Sequence, residues 1–446
     1  MFCSLEASAQ KVAHRFINFQ TKHIQPEDLL NRLNNQGYPY ACISLDTVFE
    51  YNSQRVFQWI VETGDPIYCD SILCDSKVIH TKTLYRILQF APGNLYSEKN
   101  LKEIPKRMNS ASGIRMIYDP DLIYFEKSFQ IRIPLERIKK NKIDGIVQVQ
   151  NDPLKSKSLV TGNLDLELNH LLKRCESFRF LWKRPTANSQ YLFASFQLPF
   201  AFGLPLGLNV DLQTFLRDST FAQSQYKVSA YGSVSTENGL SAYLLKYNNV
   251  SFQEINGLGN TKSILYGLQF AKKDGNLSSL VPENGYLVQF GGHSGQRKNV
   301  ATNSNNIIYG YECNGQFQSS KKNMFIQANL KSAGTFGVAF FNNEALRIGG
   351  MSSIRGYFEE SIPAFHYATL QTNVGRRLGN SFSAYISSDF AQVYAPQFRQ
   401  LGSFGVGATV LQNNSTVSLS FAWPLEQGVT FQSSNARLGI QFNTYF

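Results

Sequence analysis

The stretch GGMSSIRGYFEESI, residues 349–362, sets a single arginine, Arg355, between an isoleucine and a Gly-Tyr pair. A guanidinium is permanently charged and carries five donors in a rigid fork. Its chemistry is therefore paired hydrogen bonding to a carboxylate rather than proton transfer. Groups for making or breaking bonds show no working pattern. His14, His23, His80, His170, His293 and His366 form no HExxH or triad-like set, and no serine stands in a nucleophile-elbow context. If a leader ending at Ala9 is removed, the cysteines that remain are Cys42, Cys69, Cys74, Cys175 and Cys313. They are odd in number, widely spaced and without metal-ligand spacing to the histidines, so neither a disulfide framework nor a metal site is expected. Cys69 and Cys74 are near enough in sequence to pair in an oxidising compartment; two half-buried thiols are the other reading. The residues suggest binding and positioning, with no enzyme and no cofactor.

The elements that would hold Arg355 come from composition and period. Of 446 residues only 17% are charged while 13% are aromatic, with 34 Phe and 22 Tyr. No run of about 18 apolar residues occurs, so a transmembrane helix is not expected. A membrane protein of this composition must cross as a closed barrel, because lipid offers no partner to an open sheet edge. The net charge of +11 is spread along the chain without clustered stacking aromatics, and no nucleic-acid partner is expected. The start, MFCSLEASAQ, has small residues at Ala7 and Ala9 before Gln10. It reads either as residues 1–9 left from a signal peptide or as an ordinary N-terminus.

The pattern changes near residue 140. Residues 10–65 include PEDLLNRLNNQG, with Leu29, Leu30 and Leu33 at helical spacing, and then extended stretches at 42–51 and 55–62. Residues 66–138 read as strand, helix (Leu84, Ile87, Leu88), helix (Leu101, Ile104, Met108), strand and strand, a small α+β domain. The stretch ERIKKNK (136–142) reads as a basic linker, facing solvent or anionic headgroups. From there almost everything has period two. In FSAYISSDFAQVY, Phe382, Ala384, Ile386, Phe390 and Tyr394 share one face, while Ser383, Ser387 and Asp389 share the other. In STVSLSFAWPL, Val417, Leu419, Phe421 and Trp423 line up. An apolar face backed by a polar one is what a transmembrane barrel strand requires. Roughly 305 residues at about 19 per strand and connection make about 16 antiparallel strands. The fold class is thus a membrane all-β barrel over 139–446 preceded by small α+β domains.

With these features the chain resembles the BamA/TamA superfamily of outer-membrane assembly barrels, which have periplasmic POTRA domains followed by a 16-strand bacterial surface antigen barrel. The segment GNLDLELNHLLKRCESFRFLWKRP is similar to early barrel strands of Bacteroidota members. Residues 66–138 look like a POTRA domain and 10–65 like a partial or divergent one. Ile354-Arg355-Gly356-Tyr357, with Gly349, Gly350 and Ser353 before it, fits the superfamily's signature on an extracellular loop folded into the barrel, here 342–363. The resemblance implies that Arg355 meets acidic residues on the inner wall. Asp389 matches the acidic position, and Gln371 stands where some relatives have a second carboxylate. The last strand, NARLGIQFNTYF, is similar to the C-terminal signal of such barrels through Gly439, Phe442 and Phe446. In the superfamily it closes weakly on the first strand, here KIDGIVQVQ with Gly145, Val147 and Val149. The implied function is insertion of barrel proteins into the bacterial outer membrane. Its partners are unfolded client proteins, outer-membrane lipid and accessory subunits, with the POTRA part in the periplasm. A secretion pore for one passenger and an accessory barrel of a larger complex are the alternatives.

Overall fold

In the computed structural model the described residues are 19–20, 26–51, 54–75, 77–109, 111, 113–138, 141–152, 157–186, 189–201, 204, 206–217, 220–232, 238–275, 277, 284–379, 381–412, 415–426 and 435–445. The expected leader at 1–9 and Phe446 lie outside them. The chain divides into two compact units, Met1–Ile138 and Lys139–Phe446.

The first unit runs β1 (Phe19–Gln20), α1 (Pro26–Asn35), β2 (Cys42–Tyr51), β3 (Gln54–Glu62), β4 (Tyr68–Leu73), α2 (Thr81–Leu88), α3 (Glu98–Asn109), β5 (Ile114–Met116), β6 (Asp121–Tyr124), β7 (Ser128–Arg132) and β8 (Leu135–Arg137). The amphipathic spacing does its work here. Leu84, Ile87 and Leu88 of α2, with Ile104 and Met108 of α3, are buried together with Phe129 and Ile131 of β7. β7 is central in its sheet, parallel to β4 and antiparallel to β6. The Asn35 side chain at the end of α1 caps α3, accepting hydrogen bonds from Ser97 Oγ (3.2 Å) and the Lys99 backbone N–H (2.8 Å). This satisfies donors that a helix start leaves orphaned.

The second unit is a ring of sixteen antiparallel strands. They are β9 (Lys142–Asp152), β10 (Lys157–Asn169), β11 (Ser177–Thr186), β12 (Ser189–Leu198), β13 (Gly207–Arg217), β14 (Phe221–Tyr231), β15 (Gly239–Ser251), β16 (Thr261–Gly275), β17 (Gly285–Asn299), β18 (Asn305–Lys321) and β19 (Met324–Phe336), then β22 (His366–Arg377), β23 (Phe382–Ala395), β24 (Gln397–Gln412), β25 (Ser415–Glu426) and β26 (Arg437–Tyr445). Two short strands, β20 (Leu346–Ile348) and β21 (Ile362–Ala364), pair with each other in the long connection between β19 and β22. Side chains alternate as the period-two pattern requires. Along β23, Phe382, Ile386, Phe390 and Tyr394 are exposed on the outer face while Ser383, Ser387 and Asp389 are buried on the inner one. A lumenal cavity of about 370 Å³ is lined by Gln213, Gln223, Gln225, Gln269 and Gln289 together with charged Glu312, Lys331, Arg347 and Glu360.

The basic stretch 136–142 is not one linker. Glu136 and Arg137 belong to β8 and pair with β5, whereas Lys142 opens β9. The Lys142 ammonium is buried 2.9 Å from Asp165, which explains why a cation is tolerated there.

Candidate functional site

The connection between β19 and β22 folds into the lumen, because its apolar residues have an apolar wall to meet. Ile348, Ile354 and Ile362 are buried against Ala391, Val393 and Leu401 of β23 and β24, with Tyr357 and Tyr367 packed alongside. Gly349 and Gly350 begin a tight turn that Ser353 closes. The Ser353 hydroxyl accepts from the Gly349 N–H at 2.7 Å and donates to the Gly349 carbonyl at 3.0 Å.

Arg355 then sits on the inner wall, 5% exposed. Its backbone N–H and its Nε donate to Asp389 Oδ2 at 2.8 and 2.9 Å, and its Nη2 pairs with Asp389 Oδ1. Nη1 donates to Asn373 Oδ1 at 2.7 Å, and Nη2 also reaches the Thr372 carbonyl at 3.3 Å. A forked, desolvated pair of this kind fixes orientation as well as position. Gln371 is not among the hydrogen-bond acceptors of the guanidinium. Its side-chain N–H donates to the Met351 carbonyl at 3.2 Å, so it holds the same loop at another point. Asn373 fills the second side-chain position on the arginine, and it is steadied by Gln327 at 3.1 Å.

Gly356 has φ +84°, and a Cβ there would lie 2.9 Å from the backbone N of Pro424, so only glycine lets the loop lie against β25. Tyr357 donates its hydroxyl to the Leu425 carbonyl at 3.0 Å. Further anchors were not legible in the sequence. Lys331 donates to the Ser352 carbonyl at 2.8 Å, and Lys183 pairs with Glu359 at 2.6 Å. Where the loop leaves β19, Glu344 takes a two-point pair from Arg297 (2.7 and 2.6 Å), the Thr261 hydroxyl (2.9 Å) and the Phe341 N–H (2.8 Å). A buried Arg on β17 was the one available signal, but nothing in residue spacing joins position 297 to 344.

The seam between the first and last strands is the other feature. β26 and β9 share two registered pairs among the described residues, Thr444↔Ile143 and Tyr445↔Lys142. Every other neighbouring pair in the ring has between eight (β10–β11) and fifteen (β16–β17). Gly145 lies opposite Leu164 of β10, where a Cβ would press on the Asn163 carbonyl and the Leu164 backbone. Val147 and Val149 pair with Gly162 and Val160 of β10. On β26, Phe442 faces outward beside Leu438 and Ile440, and Gly439 faces the lumen beneath Met351. The base of β9 is fixed from inside: Asp165 takes Lys142 at 2.9 Å and the Arg179 fork at 3.2 Å. Asp165 reads in sequence as an ordinary lumenal acid; the fold makes it the pin beside the two surviving rungs.

No protein-family model and no curated protein matches the chain. Solved structures do. CdiB from Acinetobacter baumannii aligns with TM-score 0.61 at 14% identity, over 94% of this chain and 81% of that one. BamA from Haemophilus ducreyi lacking POTRA domains 1–3 aligns with TM-score 0.51 at 15% identity, over 94% and 92%. CdiB from Escherichia coli aligns with TM-score 0.53 at 12% identity, over 94% and 83%. At such identity the likeness concerns the fold: this chain has the architecture of the BamA and CdiB barrels.

Proposed function

We propose that this protein assembles β-barrel proteins into the bacterial outer membrane, presenting the edges of its seam as templates for client strands. The observation that carries this reading is the two-rung seam in a wall whose other ladders have eight or more. Unpaired backbone edges in lipid are costly, and an incoming strand satisfies them by main-chain pairing. The client edge then stays hydrogen-bonded while it enters the hydrocarbon. No bond is made or broken, and no metal or cofactor has a role. Unit one, whose residues 66–138 run strand, helix, helix and then four short strands where two longer ones were expected, serves in this reading as a POTRA-type periplasmic domain that meets unfolded clients. Residues 26–62 contribute a helix and hairpin of a second, divergent one.

The test is reconstitution of the full chain in liposomes, with a urea-unfolded outer-membrane barrel added and its folding followed by electrophoretic mobility. Folding should accelerate, and a disulfide between Val147→Cys and Ile440→Cys should abolish the acceleration. Equal acceleration with the seam locked would sink the templating reading.

A second reading, secretion of a dedicated passenger, is favoured by the polar lumenal cavity, whose glutamines can hydrogen-bond an extended polypeptide. Depletion separates the two readings. Loss of many outer-membrane barrels supports assembly, and loss of one exported protein supports secretion.

A further inference from the structure

The seam raises a mechanical question. Continuing the register of Thr444↔Ile143 by four residues on each strand (444 − 4 = 440; 143 + 4 = 147) would set Ile440 opposite Val147. Phe442 would then face Gly145, and Leu438 would face Val149. Among the described residues these pairs are not formed, although unpaired edges in a membrane wall should zip together spontaneously. Something must hold the strands apart.

The inward loop touches β26 in this unpaired part. Arg437 Nε donates to the Gly356 carbonyl at 3.0 Å, and its guanidinium lies 3.4 Å from the centre of the Phe358 ring. The Met351 side chain lies over Gly439 so closely that a Cβ there would overlap its sulfur. The Ser420 hydroxyl on neighbouring β25 donates to that same sulfur at 3.0 Å. The loop's own position is fixed independently by Arg355 on Asp389 and by Glu344 on Arg297. These contacts tie a fixed loop to the lumenal face of β26, the face that carries Arg437 and Gly439.

We infer that the inward loop is a latch on the last strand, with Met351, Gly356 and Phe358 holding Arg437 and Gly439 toward the lumen and so keeping the seam unpaired. The latch regulates the seam and rests on the reading of that seam as the working edge. Met351 and Arg437 are positioning residues: they touch no client and act through β26. Glycine at 439 is what allows a thioether to reach the strand there, while the neighbouring hold is on the Arg437 side chain.

The experiment uses the full chain in lipid nanodiscs, its native cysteines replaced by serine, with Val147→Cys and Ile440→Cys as reporters across the seam. The rate of disulfide formation is scored in the heat-modifiable, folded band alone. Phe358→Ala should speed cross-linking by about two- to five-fold, the shift expected on loss of one exposed cation–π contact, and Met351→Ala and Gly439→Ala should speed it as well. Arg437→Lys, which keeps a cation over the ring, should fall between them and the parent. Unchanged or slower cross-linking in folded Met351→Ala and Phe358→Ala overturns the latch, whatever the client assay shows. Faster cross-linking with undiminished client folding keeps the latch and sinks the templating reading instead.

Discussion

Arg355 and Asp389 are joined through three nitrogens of one residue: the backbone N–H, Nε and Nη2 of Arg355 all reach the same carboxylate. Asp389 therefore fixes the main chain of the loop as well as its charge. Arg355→Ala should leave a buried carboxylate uncompensated and lower barrel stability by about 3–5 kcal/mol. Arg355→Lys should recover little, because an ammonium cannot reproduce the fork to Asp389 and Asn373. The exchanged pair Arg355→Asp with Asp389→Arg should recover a part only, since the residue 355 N–H then has no acceptor. Denaturant midpoints of the folded electrophoretic band check all three; a full rescue by the exchange would show that the backbone contact is unimportant.

Glu344 accepts from the Arg297 guanidinium, the Thr261 hydroxyl and the Phe341 N–H within one buried cluster. Glu344→Gln should free the first arm of the loop while leaving Arg355 seated. Chymotrypsin should then cut after Phe340 or Phe341 at least several-fold faster than in the parent, with the sixteen strands still resistant.

Asp165→Asn should loosen the base of β9, because Lys142 and Arg179 lose the carboxylate they share. Breaking a largely buried pair at one partner is costly, and the nearest consequence is loss of the rungs at Ile143 and Lys142. Hydrogen exchange should accelerate at 142–144 and 444–445 and stay unchanged in the β16–β17 ladder.

The thiols of the first unit give a pH test. Burial, assisted by the neighbouring Asp70, pushes Cys69 up to about 11; burial and Asp75 do the same for Cys74. Both are free thiols, as are Cys42, Cys175 and Cys313. Iodoacetamide at pH 8 should modify exposed Cys42 well before either. The folded state holds these protons more tightly than the unfolded chain, whose thiols lose theirs near 9. Their contribution to stability is therefore fully present below pH 9 and declines as the pH rises from 9 towards 11. Isolated unit one melting at the same temperature from pH 8 to 10.5, when compared with its Cys69→Ser, Cys74→Ser variant, would contradict this.

Period-two patterning is local, so the sequence by itself determined that the second unit is a barrel of about sixteen strands and which residues of those strands share a face. It placed Asp389 on the polar face of its strand, opposite Phe382, Ile386 and Phe390. Helical spacing did the same for α2 and α3. Which side chains meet across the lumen depends on register and on the path of a loop whose residues have no period at all. Tertiary structure alone put Asn373 rather than Gln371 on the guanidinium, joined Arg297 to Glu344, and made a pin of Asp165. It alone set Met351 on Gly439, because a loop residue and a residue of the last strand, 88 positions apart (439 − 351), become neighbours only when the loop folds into the closed barrel.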